Sequence, residues 1–158
     1  MFKQDDPKKC TAAKIVKFKL ATSVRSPSSN TLLLDPFAQM TLLRNDASLV
    51  NSITGIDCSW ELAGKTFTKK FPGIARKLPP LLAGNPVNYS KLGKLTTVEA
   101  IAGAAFIMNF ASLAHNLLNK FKWGHTFYDL NQDLLADYSQ ASSEEEINSV
   151  IKEYGLLA

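Results

Sequence analysis

The segment Asp57-Cys58-Ser59-Trp60 holds the residues best suited to chemistry. It closes a run, Ile53 to Cys58, that reads as a strand weakened by Gly55. An aspartate at the carboxyl end of a parallel strand faces the crevice in which open α/β sheets bind ligands. Such a carboxylate can take a proton or orient an acceptor, and it can equally cap the turn that follows. Trp60 either fills the core or walls an apolar pocket. Two other positions supply anion-binding groups. Thr96 and Thr97 add two hydroxyls to the N–H groups of a helix start, and Thr11 stands near the start of an earlier helix. Each of these hydroxyls can also act as a plain cap. Two helix starts, an apolar pocket and one aspartate suit a nucleoside that carries an amino-acid group.

Other chemistries lack their residues. There is no Gly-x-Gly-x-x-Gly fingerprint and no P-loop. Cys10 and Cys58 are the only cysteines, and neither belongs to a Cys-x-x-Cys pair. His115 and His125 have no cysteine near them, so no metal site is expected. His115, in an apolar stretch, reads as structural. His125, in Lys120-Phe-Lys-Trp-Gly-His125, reads as structural first and as an RNA contact second.

The elements that must position these residues change character along the chain. A helix is expected from about Cys10 or Thr11, with Ile15, Val16 and Phe18 apolar and Lys14 and Lys17 outward. Residues 25–31 read as a loop. Thr31 to Leu34 is a short continuous apolar run ended by Asp35-Pro36, the pattern of a buried strand. A short helix is expected over Asn45 to Asn51 and a helical turn over Trp60 to Ala63. Leu81-Leu82-Ala83 reads as a third strand before the turn Gly84 to Asn88. Beyond Gly93 the pattern is helical throughout. Thr96 and Glu99 are spaced as a capping box, Asn109 separates two apolar helices, Phe127 to Leu135 is a third, and Ser142 with Glu145 caps the last. The expected fold class is therefore α/β: a mainly parallel sheet in an N-terminal lobe (1–84) and an all-helical C-terminal lobe (85–158).

The chain has 158 residues, 46% hydrophobic and 20% charged, enough for a real core and too apolar for wholesale disorder. No stretch of ~18 apolar residues occurs, so no membrane partner is expected, and no signal peptide is evident. The expected location is the cytoplasm. The net charge of +4 is unevenly spread. Residues 1–128 carry 17 Lys/Arg against 7 Asp/Glu, and residues 129–158 carry 1 against 7. A basic bulk suits a polyanion such as RNA, and also an ordinary lysine-rich surface.

Five blocks in order give the chain a distinctive signature. They are Asp5-Asp-Pro-Lys-Lys-Cys-Thr11, Asp57-Cys-Ser-Trp60, Leu78-Pro-Pro-Leu-Leu-Ala-Gly-Asn-Pro-Val-Asn-Tyr89, Lys94-Leu-Thr-Thr-Val-Glu-Ala100 and Phe121-Lys-Trp-Gly-His125. Together they resemble the Tsr3 family of ribosomal RNA aminocarboxypropyltransferases, in its archaeal form, over nearly the whole chain. The resemblance implies a SPOUT-like fold with a trefoil knot. It implies S-adenosyl-L-methionine (SAM) as donor, no metal, and transfer of the 3-amino-3-carboxypropyl group. The acceptor would be N3 of a pseudouridine in small-subunit ribosomal RNA, met as RNA or as a pre-ribosomal particle by a monomeric enzyme.

The resemblance also assigns residues. Thr11 and Thr97 would hold the SAM carboxylate, and the Ile56 carbonyl the ribose. Leu78 and the backbone at Gly93 would border the adenosine, and Trp60 and Ala63 would pack around the methyl. Two features depart from the family pattern: the residues before Asp5 are few, so the first strand is expected to be short, and Gly93 replaces a frequent aromatic. Asp57 is the candidate catalytic residue. Lys65, Lys69, Lys70, Arg76 and Lys77 are the leading candidates for RNA phosphates, with Lys3, Lys8, Lys9, Arg25, Lys91 and Lys94 beside them. The competing readings are a SPOUT-like RNA methyltransferase using the same donor and a non-catalytic RNA-binding assembly protein.

Overall fold

Thr31–Leu34 forms strand β1, and all four of its residues are buried. A strand covered on both faces needs apolar side chains at every position, which Leu32, Leu33 and Leu34 supply. In the computed structural model, which describes residues 10–56 and 71–156, β1 is the centre of a three-stranded parallel sheet. Its neighbours are β2 (Ser52–Thr54) and β3 (Ile74–Arg76), in the order β2-β1-β3. Thr31 pairs with Ser52, and Leu32 with Ile74. The hydroxyl of Thr31, fully buried, is satisfied by Ser52 Oγ at 2.7 Å and Thr54 Oγ1 at 2.8 Å. That closes the polar side of the β1–β2 seam.

Helix α1 (Thr11–Lys17) is capped by a cysteine: Cys10 Sγ accepts from the N–H of Ala13 at 3.4 Å. It ends at Lys19, whose φ of 62° lets the N–H of Leu20 reach back to the Ile15 carbonyl. Four helices follow in the second half of the chain: α2 (Thr97–Ile107), α3 (Ala111–Leu118), α4 (Gly124–Gln140) and α5 (Glu144–Glu153). Asn109 turns the chain between α2 and α3 with a φ of 68°. Asparagine tolerates that left-handed conformation better than most residues. Ala102, Gly103, Ala104 and Ala105 of α2 are buried, so α2 is the central helix. The largest core cluster joins Leu32 and Leu34 of β1 to α2, Phe127 and Tyr138 of α4, and Ile147 of α5. Truncating a residue such as Leu32 to alanine costs roughly 2–5 kcal/mol in a core of this kind.

Five sequence expectations are corrected here, the first being the strand read over Ile53 to Cys58, which is Ser52–Thr54 and has ended by Gly55. Leu81–Ala83 is not a strand. The side-chain amide of Asn131 takes both polar groups of the Leu82 peptide, accepting its N–H at 2.8 Å and donating to its carbonyl at 2.7 Å. Leu82 is left with only an isolated antiparallel bridge to Leu92. The third strand is instead Ile74–Arg76, inside the stretch read only as basic. The short helix expected at Asn45 to Asn51 is a 3-10 turn at Arg44–Ser48. The last helix is capped one residue later than expected, by Ser143, which accepts from the N–H of Glu146 at 3.2 Å. The turn expected at Trp60 to Ala63 lies outside the described residues.

Candidate functional site

Gly55 and Ile56 leave the carboxyl end of β2 and run against the first turn of α2. A Cβ on Gly55 would stand 3.2 Å from both Thr97 Cγ2 and Ile101 Cδ1. Sheet end and helix start are therefore in close contact. A cleft of about 770 Å³ opens beside this junction. Ile15 of α1, Ile56, Thr97, Ile101 and Leu117 are on its apolar side, and residues 22–28 and 51–54 give it a hydroxyl-rich side. Among the described residues that line it, Arg25 is the only charged one.

The start of α2 divides its polar groups between two sides. One side is closed. Thr96 Oγ1 accepts from the Glu99 N–H at 3.3 Å, and Glu99 Oε1 accepts from the Thr96 N–H at 2.9 Å, the reciprocal capping box its spacing predicts. Glu99 is completely buried, so its carboxylate needs more partners than a cap requires. It receives the Gly84 N–H at 2.6 Å, Asn85 Nδ2 at 2.8 Å and the Thr96 hydroxyl at 3.0 Å. Asn85 Oδ1 in turn accepts from the Asn88 N–H at 3.0 Å, which fixes the 85–88 turn. Gly84 is required here: any Cβ would collide with the backbone of Phe127.

The other side lies toward the cleft, which Thr97 lines and Thr11 does not. Thr11 Oγ1 accepts from the Val98 N–H at 3.2 Å, tying the start of α1 to the start of α2. Thr97 has neither its N–H nor its hydroxyl in a hydrogen bond among the described residues, and it lines the cleft. A helix start with open donors is suited to a carboxylate. The two threonines expected to act at one anion are thus neighbours, with one holding the helix and the other left open.

The remaining expected site residues divide between those the structure describes and those outside the described residues. Leu78 packs against the main core, and Gly93 is exposed with a φ of 74°; neither lines this cleft. The left-handed backbone at Gly93 accounts for glycine at that position. Arg76 is engaged, its Nε 3.2 Å from Asp46 Oδ2 and its Nη1 donating to the Ala75 carbonyl at 2.9 Å. Lys77 pairs by its backbone with Met40 and Leu42. Asp57, Trp60, Ala63, Lys65, Lys69 and Lys70 lie outside the described residues. His115 sits in an aromatic trio, 5.0 Å from the Phe106 ring and 4.8 Å from that of Tyr128, in keeping with a structural histidine. Sequence reasoning missed the wider role of Glu99 and Asn85. The signal available was Asn85-Pro-Val-Asn88, a turn whose side chain is free to reach a second partner.

Fold and site together define a small α/β protein with a cleft where a parallel strand ends against a helix start. The sequence pattern described as "Ribosome biogenesis protein, C-terminal" matches residues 32–155. The protein named 16S rRNA aminocarboxypropyltransferase from Methanococcoides burtonii is 42% identical over 96% of this chain and 90% of its own length. Its namesake from Saccharolobus solfataricus is 39% identical over 96% and 91%. The solved structure described as the SAM-dependent rRNA:acp-transferase Tsr3 from Vulcanisaeta distributa is 35% identical, with a TM-score of 0.87 over 98% of this chain and 85% of that one. The chain belongs to the 16S rRNA aminocarboxypropyltransferase family.

A second pattern, described as a possible Fer4-like domain in RNase L inhibitor, matches residues 2–29. Iron–sulfur clusters of that kind are held by several thiolates. This stretch has one cysteine, Cys10, and its sulfur caps α1. The residues present do not fit a cluster. Among the described residues no group of three or more His, Cys, Asp or Glu could hold a metal ion, and no helix is long and apolar enough to cross a membrane.

Proposed function

We propose that this protein transfers the 3-amino-3-carboxypropyl group of SAM to N3 of a pseudouridine in small-subunit ribosomal RNA, as a step in ribosome biogenesis. The observation that carries the reading is the open donor pair of Thr97 beside Gly55 and Ile56 at the cleft, in a chain 42% identical to a protein named for this activity. The SAM carboxylate is held by the Thr97 N–H and hydroxyl, with Thr11 fixing the helix start. The Ile56 carbonyl receives the ribose and Trp60 and Ala63 cover the methyl, while Leu78 and Gly93, which stand outside the cleft lining, border only the part of the adenosine that extends beyond it. The same reading includes a SPOUT-like fold with a trefoil knot and a division at about residue 85. It also includes action as a cytoplasmic monomer on RNA or a pre-ribosomal particle. Lys65, Lys69, Lys70 and Lys77 meet phosphates, and Arg76 joins them only by giving up Asp46.

The reaction is a displacement at the γ-carbon of the donor. The N3–Cγ bond forms as the Cγ–S bond breaks, and the bonding pair returns to sulfur in the leaving methylthioadenosine. The sulfonium is already an activated leaving group, so the protein's task is alignment. The N3 proton passes to Asp57, the carboxylate adjacent to Ile56. Asp57→Asn removes the proton acceptor while keeping size and much of the hydrogen bonding. It should bind SAM within about tenfold of wild type and slow single-turnover transfer roughly 10²–10⁴-fold. Wild-type rates across a pH series would remove Asp57 from the mechanism. Mass analysis of modified small-subunit RNA tests the activity itself. An aminocarboxypropyl increment is expected, and a methyl increment would favour the methyltransferase reading.

A further inference from the structure

The end of α1 and the turn between α3 and α4 build a charged surface from cations other than those of residues 65–77. Ile15 packs with Val98, Leu117 and Phe121 in a small core of its own, which brings the two segments together. Above that core the segments interleave cations with aromatic rings. Lys14 Nζ lies 5.8 Å from the Phe121 ring centroid, and Lys120 Nζ lies 5.5 Å from that of Phe18. Phe18 remains 46% exposed, although its ring is large and apolar. Lys17, Lys19 and Lys122 are exposed beside it.

The charges here are unbalanced. Residues 11–34 and 100–128 contain no Asp or Glu, and none of Lys14, Lys17, Lys19, Lys120 and Lys122 makes an ion pair in the described structure. Lys19 is also held in a left-handed turn, where glycine is the commoner residue. The surface adjoins the cleft, because Ile15, Val16, Leu20 and Leu117 line one edge of it.

We infer that this face is a second RNA-contact surface, which takes an unpaired stretch of the substrate RNA leading toward the cleft. Lys17, Lys19, Lys120 and Lys122 meet phosphates, and Phe18 stacks on one base. Lysines interleaved with an exposed ring are the chemistry by which single strands are held without sequence reading. Double-stranded nucleic acid offers phosphates but no free base face for Phe18. The inference rests on the RNA-modifying reading above and extends it to residues outside that site.

The test uses the full chain and a mixed-sequence single-stranded oligoribonucleotide, with a duplex of the same sequence as control. Reversing two cations, Lys17→Glu with Lys120→Glu, should lower the log–log salt slope by about two and weaken single-strand binding at least tenfold near physiological salt. Phe18→Ala should weaken single-strand binding roughly 5- to 100-fold and duplex binding much less. SAM affinity, measured by calorimetry, should stay at the wild-type value and certifies folding. Phe18→Leu, which keeps apolar bulk without a π-face, should behave as Phe18→Ala. Unchanged salt slope and affinity in the double variant, or equal losses on single strand and duplex in Phe18→Ala, would overturn the inference. The parent reading fails separately: wild-type protein would then move no group from SAM to small-subunit RNA, whatever these variants do.

Discussion

At the start of α2, Glu99 and Thr97 meet opposite surroundings. Glu99 is fully buried and takes four donors from Gly84, Asn85 and Thr96, one of them the N–H of the cap it completes. Thr97 keeps both of its donors open to the cleft. The difference shows how a small protein can present unsatisfied groups without losing definition. A buried carboxylate that accepts four donors is held rigidly, and it fixes the helix start whose next residue, Thr97, lines the cleft. Preorganised donors of this kind need little rearrangement when an anion arrives.

The comparison breaks most visibly at Glu99. Glu99→Ala leaves the buried Gly84 N–H without an acceptor, the Asn85 amide with only the Lys94 carbonyl, and the partly buried Thr96 N–H without its cap. Each orphaned buried group costs about 1–3 kcal/mol, so a loss of roughly 3 kcal/mol or more is expected. Chemical denaturation should register it, and a loss below about 1 kcal/mol would mean that the network is not structural. Glu99→Gln should recover part of the loss, because it keeps one carbonyl oxygen as acceptor.

Thr97 should show the reverse profile. Thr97→Val keeps the shape and removes only a hydroxyl that no described residue uses, so stability should move by about 0.5 kcal/mol or less. SAM affinity should fall roughly 10- to 100-fold, the worth of a hydrogen bond to a charged acceptor. Thr97→Ser should restore most of it. A valine variant that binds SAM normally would leave the carboxylate without its proposed seat.

The acidic end of the chain sharpens the contrast at the smallest scale. The Tyr154 hydroxyl donates to Asp137 Oδ2 at 2.6 Å, and this bond, with burial and nearby carboxylates adding to it, pushes the phenol up from 10.0 to about 12. Burial, with a contribution from Tyr154, also raises Tyr138. A raised phenol pKa means that the fold favours the neutral form. The contribution of Tyr154 is therefore complete below about pH 10 and is lost as pH rises toward 12. Spectrophotometric titration should find late-ionising tyrosine, and Tyr154→Phe should remove one such group. A Tyr154 that titrates at the ordinary value would show that the Asp137 bond does not form in solution.

Much of this arrangement was legible because it is local. β1 follows from an unbroken apolar run, the capping box from the spacing of Thr96 and Glu99, and the α2–α3 break from Asn109. The losses share one cause. Asn131 satisfies the Leu82 peptide from 49 residues away, and Asp46 pairs with Arg76 across 30 residues. Neither partner can be read from its neighbours in sequence. β3 was hidden for a related reason: three residues, Ile74–Arg76, form a strand only because β1 offers them an edge. At the site, spacing identified Thr11, Thr96 and Thr97 but not which would be consumed as caps. That division depends on Thr11 meeting Val98 across 87 residues.

The central claim is that SAM gives up its amino-acid chain and keeps its methyl. Parallel transfer reactions on small-subunit ribosomal RNA, one with carboxyl-labelled SAM and one with methyl-labelled SAM, test it directly. Label is expected in the RNA from the carboxyl position only. Label from the methyl position, with none from the carboxyl, would contradict it.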